Sequence, residues 1–105
     1  MTNLIDVMRV WVSERGESGL LRPWLVFREG GMDSMKRSAR IEVEDPEVMG
    51  QIILWETGEC EIDLGSTTDA ERTLIASRQL ASPEELTRTL EEAMEFSDTV
   101  ISKGA

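Results

Sequence analysis

Carboxylates recur at alternate positions in two stretches of this chain: Glu42 and Glu44 in the first, Glu59, Glu61 and Asp63 in the second, with Glu56 just ahead of the latter. Side chains of this type support three kinds of chemistry. Two held close, with pKa values driven apart, act as general acid and base. Several converging oxygens hold a hard cation. Ionised and facing water, they set up a negative field that attracts a basic macromolecule. Spacing decides among the three. Acids alternating along a strand lie too far apart to converge on one ion unless a second strand helps, and the acidic loop with a central glycine that binds calcium is missing. No two carboxylates are placed to suggest an acid–base pair. The expectation is therefore no catalytic residue, no metal and no cofactor. Glu42, Glu44, Glu56, Glu59, Glu61 and Asp63 become candidate partner-binding residues; the ordinary alternative is a strand face kept soluble by water.

The remaining composition removes most other chemistry. The chain has 105 residues, with 21 acids against 11 bases, a formal net charge of −10, no histidine and one cysteine. Histidine is the only side chain whose unperturbed pKa lies in the physiological window. Cys60 has no imidazole to activate it, and its in-facing phase in an alternating segment reads as a buried core thiol. A single thiol forms no internal disulfide and fits a reducing compartment. No apolar run reaches the roughly 20 residues needed to span a bilayer, and Met1 to Asp6 has no basic region leading into an apolar stretch. A cytoplasmic location is expected. Neither nucleic acid nor a membrane is an expected partner, because phosphate binding depends on basic surface. Residues 1–49 hold nine acids and seven bases and residues 50–105 hold twelve and four, so the excess lies mostly in the second half.

The elements that would position these acids can be read from periodicity. Leu4, Ile5, Met8, Trp11 and Val12 recur at helical spacing, which predicts a helix from Leu4 to Glu14, capped by Thr2 or Asn3 and ended by Gly16 and Gly19. Val7 and Val10 fall off that stripe, which suggests burial on more than one side. Leu20 to Glu29 holds a β-prone apolar run at Trp24–Phe27, and Gly30 to Asp33 reads as a turn. Ala39, Ile41 and Val43 alternate with Arg40, Glu42 and Glu44, the pattern of an antiparallel strand wet on one face. After Asp45-Pro46-Glu47, Gln51–Trp55 is apolar on both faces and reads as a central strand. Trp55 is read as core more readily than as an interface anchor, and Trp24 has the same ambiguity. Glu56 to Glu59 forms a hairpin turn around Gly58. Cys60, Ile62 and Leu64 then face the core while Glu59, Glu61 and Asp63 face out, with Arg40 and Gln51 placed to neutralise part of the acidic row. Gly65 to Ala70 reads as a loop. Residues 72–80 suit a strand better than a helix. Ser82-Pro83-Glu84-Glu85 combines an N-cap, proline at the first helical position and a glutamate three residues after the cap. The helix it opens runs to about Ser102, with Leu86, Leu90, Ala93, Met94, Ser97, Val100 and Ile101 on one stripe. The fold expected is a single α+β domain: an antiparallel meander sheet of four to five strands, with an N-terminal and a C-terminal helix packed on one face.

Four short stretches carry a resemblance: Ser38–Val43, Gly50–Trp55, Thr57–Ile62 and Leu80–Leu86. Together with the leading Trp11 helix they resemble small bacterial immunity proteins of the type called TriTu, which accompany polymorphic or contact-dependent growth-inhibition toxins. The resemblance implies a non-enzymatic antitoxin that binds and neutralises a cognate toxin domain in the cytosol; a monomer is expected ahead of a dimer. It brings no contact residues with it. Many toxins of this class cut nucleic acid and have basic surfaces, so a basic nuclease domain is one expected partner. The alternative is a type III secretion chaperone, which would dimerise and hold an effector segment in apolar grooves. A carboxylate-based hydrolase is the third and least supported reading.

Overall fold

The computed structural model describes residues 3–17, 24–30 and 37–104. Along these segments run α1 (Leu4–Glu17), β1 (Trp24–Gly30), β2 (Ser38–Glu44), β3 (Val48–Trp55), β4 (Glu59–Ser66), β5 (Thr73–Gln79) and α2 (Pro83–Gly104). The strands form one antiparallel sheet in the order β1-β2-β3-β4-β5. This is the expected meander at its upper strand number, with β3 at the centre and residues 73–79 as a strand.

Short connections hold the register. Between β2 and β3, the Asp45 carboxylate accepts the Glu47 N–H at 3.0 Å, a local bond that lets three residues reverse the chain. Between β3 and β4, the Gly58 N–H donates to the Trp55 carbonyl at 2.9 Å. Gly58 has φ 97°, a left-handed value that other residues adopt at a cost. From β4 to β5, the Ser66 hydroxyl accepts the N–H groups of Thr68 and Asp69 at 3.2 and 3.1 Å.

Alternation along the strands divides the sheet into two faces. Ala39, Ile41 and Val43 of β2, Ile52 and Leu54 of β3, and Cys60, Ile62 and Leu64 of β4 are all buried. Register aligns Ile41 with Ile52 and Ile52 with Ile62 across the middle. Both helices cover this face: α1 packs on β1, β3 and α2, while α2 packs on β3 and β4. Ile5 and Met8 of α1, with Leu86, Leu90, Ala93, Met94 and Val100 of α2, complete the core. Each large side chain buried there stabilises the fold by about 1.5–3 kcal/mol.

The helix ends follow from local hydrogen bonds. Asn3, one of the two expected caps, caps α1, its side-chain oxygen accepting the Ile5 N–H at 2.8 Å; Thr2 lies outside the described residues. Ser82 caps α2 by accepting the Glu85 N–H at 3.2 Å. Glu85 reaches back to the Ala81 N–H at 3.1 Å, one residue beyond the usual capping-box partner. Ser97, the polar member of the buried stripe, donates to the Ala93 carbonyl at 3.0 Å.

Several boundaries differ from expectation. α1 runs past Glu14 to Glu17, and Val10 is 53% exposed, so α1 buries one side rather than two. β3 begins at Val48 and β4 continues to Ser66: Gly65 is strand, because its register with Met49 and Thr73 keeps the ladder going. Gly30, read as the first residue of a turn, instead closes β1; the readings of Leu20–Pro23 and of Gly31–Asp33 lie outside the described residues. Among the described residues, no helix is long and apolar enough to cross a membrane.

Candidate partner-binding surface

The face opposite the helices carries the charge. Its rows follow from the register. Val26, Glu42, Gln51, Asp63 and Ile75 form one line across all five strands, and Arg28, Arg40, Ile53, Glu61 and Ser77 form the next. Glu44 lies opposite Met49, and Glu59 opposite Gln79. Of the six candidate acids, Glu42, Glu44, Glu59, Glu61 and Asp63 therefore share the uncovered face. Glu56 lies in the adjoining β3–β4 turn and is exposed.

Charge on this face is not uniform. The Glu42 carboxylate sits 2.7 Å from Arg28 Nε and 3.3 Å from Arg40 Nε, with only 26% of its side chain exposed. Two guanidinium groups offset that acid, and the β2 side of the face is close to neutral. Arg40 was the expected neutralising residue. Arg28 was missed because Trp24–Phe27 reads as an apolar run; the signal that would have found it is the inward phase of Leu25 and Phe27, which turns Val26 and Arg28 outward. On β4, no base pairs with Glu61 or Asp63 among the described residues. Glu61 and Asp63 are exposed and Glu59 half-buried, the last accepting a hydrogen bond from the Thr57 hydroxyl at 3.3 Å. Alternate residues of one strand lie about 6.5–7 Å apart, so this row is a continuous negative strip.

Apolar side chains flank the strip. Met49 is 61% exposed and Ile75 72% exposed, while Ile53 and Trp55 are half-buried on the same face. The reading of Trp55 as core is thus corrected: Leu54 points into the helices, and period two sends its neighbour to the other side. The Trp24 side chain lies outside the described residues. Two depressions mark the face. Glu44, Met49, Gln51, Asp63 and Thr73 line one; Arg28, Arg40, Ile53 and Trp55 line the other.

On the covered side, Arg78 of β5 donates to both oxygens of Glu92 on α2, at 2.6 and 2.9 Å. These hydrogen bonds hold the Glu92 carboxyl below its usual range. Cys60 is buried beneath the sheet, and loss of solvation pushes its thiol up to about 11, which leaves it protonated and poorly nucleophilic at neutral pH. Among the described residues, no group of three or more His, Cys, Asp or Glu is placed to hold a metal ion. What the surface offers chemically is a negative strip between apolar side chains.

A family model described as Immunity protein TriTu matches residues 10–96, a span reaching from the second half of α1 through all five strands into α2. No curated protein matches the chain.

Proposed function

The chain belongs to the TriTu immunity protein family, and on that premise we propose that it binds a cognate bacterial toxin domain in the cytoplasm and neutralises it, making and breaking no bond of its own. The contact surface is the uncovered sheet face, with Glu59, Glu61 and Asp63 at its centre, Glu44 and Glu56 beside them, and Glu42 held in the Arg28–Arg40 pair. The observation that carries this reading is the β4 strip. Like charges at alternate positions of one strand repel one another, and a basic partner turns that cost into attraction. Complementary potential speeds encounter and suppresses wrong partners. A toxin domain with a basic substrate groove, such as a nuclease, fits best, with the strip standing where phosphates would lie. The family gives no support to the chaperone alternative.

The test is protection. The C-terminal domain of the reading frame beside this gene is expressed with and without the chain. Growth is expected to be restored by the wild type and lost with Glu59→Lys plus Glu61→Lys, two changes that leave the core untouched. Unimpaired protection by the double variant would move the contact elsewhere. Toxicity unaffected by the wild-type chain would refute neutralisation of that domain.

A further inference from the structure

The sheet ends at β5, and among the described residues no strand pairs with its outer side. Which backbone groups point outward follows from two bonds. The Ser66 N–H donates to the Arg72 carbonyl at 2.9 Å, and the Leu80 N–H to the Gly58 carbonyl at 2.8 Å. These put Arg72 and Leu80 in bonded pairs with β4. Antiparallel ladders alternate, so Leu74, Ala76 and Arg78 also direct their N–H and C=O groups at β4. Thr73, Ile75, Ser77 and Gln79 direct theirs outward, and their side chains stand on the uncovered face.

Soluble proteins guard such an edge with lysine, proline, a bulge or inward charge. β5 is seven residues long and contains no proline, glycine or lysine. Its one charged side chain, Arg78, points beneath the sheet, where Glu92 neutralises it, so the strand carries a single paired inward charge and none beside an incoming strand. Ile75 stands 72% exposed on the other side. The opposite edge is better guarded: on β1, Arg28 pairs with Glu42, and Glu29 pairs with Arg9 and Arg37.

We propose that β5 is a docking strand, which takes up an extended basic segment of the protein partner as a sixth strand. This rests on the reading of the chain as a toxin-binding protein and adds the mode of engagement. Charge selects the occupant. A strand beside β5 lies two strand spacings, about 10 Å, from β4. Lysine or arginine on its upper face reaches Glu61 across the short Ser77 side chain, which stands opposite it. A second copy of this chain would instead bring a further charge of −10 and a second acidic strip to the same edge.

The probe is a capped seven-residue peptide, Lys-Val-Lys-Val-Lys-Val-Lys, added to the full isotope-labelled chain and followed by amide hydrogen exchange and NMR titration. The expected result is new protection of the Thr73, Ile75, Ser77 and Gln79 amides, with the even-numbered amides of β5 unchanged. Ser77→Pro removes one outward N–H and leaves the β4 ladder intact; it is expected to weaken binding about tenfold. If that variant does not fold, the same peptide N-methylated at alternate residues replaces it and is expected not to bind. Absence of protection at millimolar peptide, equal binding of the N-methylated peptide, or equal binding of a peptide with glutamate for lysine would each overturn the proposal. So would a dimer in sedimentation that Ser77→Pro dissociates, because the occupant would then be a second copy. Shifts confined to the β4 strip without edge protection would remove the docking strand and leave the acidic-face reading standing.

Discussion

Two glutamates two strands apart in the same alternating pattern behave differently, because the charged groups within reach of each differ. Glu42 pairs with Arg28, diagonally across on β1, and with Arg40, two residues back on its own strand, whereas Glu61 stands between Ile53 and Ser77. Local spacing reveals the direction of each side chain; only register reveals what stands beside it. That is why the alternation of Glu59, Glu61 and Asp63 was legible and the neutralisation of Glu42 by Arg28 was not. Cys60 shows the same dependence on surroundings. Burial raises its thiol from the ordinary 9.0 to about 11, so the folded state holds the proton more tightly than the unfolded chain. Its contribution to stability is complete below about pH 9 and is lost as pH rises through 11, on the order of 2–3 kcal/mol in all. Urea denaturation of wild type and Cys60→Ala at pH 8 and pH 11 checks this. The wild type is expected to lose more stability than the variant, and parallel losses would contradict the buried-thiol assignment.

At the scale of elements, the β3–β4 pair depends on Gly50. Its φ of 140° and the Asp63 carbonyl, 2.0 Å from where a Cβ would stand, leave no room for a side chain. Gly50→Ala is expected to cost on the order of 2 kcal/mol and to displace the Asp63 end of the acidic strip. An unchanged denaturation midpoint would show that the strands slide to accommodate it. β2, β4 and α2 were readable in advance because each has a fully buried side and a wet one, so hydropathy and burial coincide. β5 was ambiguous for the opposite reason. Ile75 faces water while Arg78 lies over α2, so hydropathy and exposure run against each other along the strand. The two-sided burial expected of α1 failed at Val10, which projects away from both α2 and the sheet. A helix lying on a sheet beside one other helix has at least one side in water.

For the whole molecule, an excess of ten negative charges on a fold whose apolar side is sealed by its own helices leaves electrostatics as the main long-range interaction. Solubility alone would be served by acids scattered anywhere, as Glu91, Glu95 and Asp98 are along the outer face of α2. The β4 strip differs in being flanked by exposed apolar side chains, the arrangement of an anchored interface with charged selectivity. The most direct measurement is the affinity of the chain for a toxin domain against which it protects, taken from low to high ionic strength. Salt screens charges separated by more than about 10 Å at 0.1 M, so wild-type affinity is expected to fall steeply as salt rises. The Glu59→Lys plus Glu61→Lys variant should bind far more weakly at low salt and lose most of that dependence. Affinity that is indifferent to salt, or a variant that binds as the wild type does across the series, would contradict a contact made through the acidic strip.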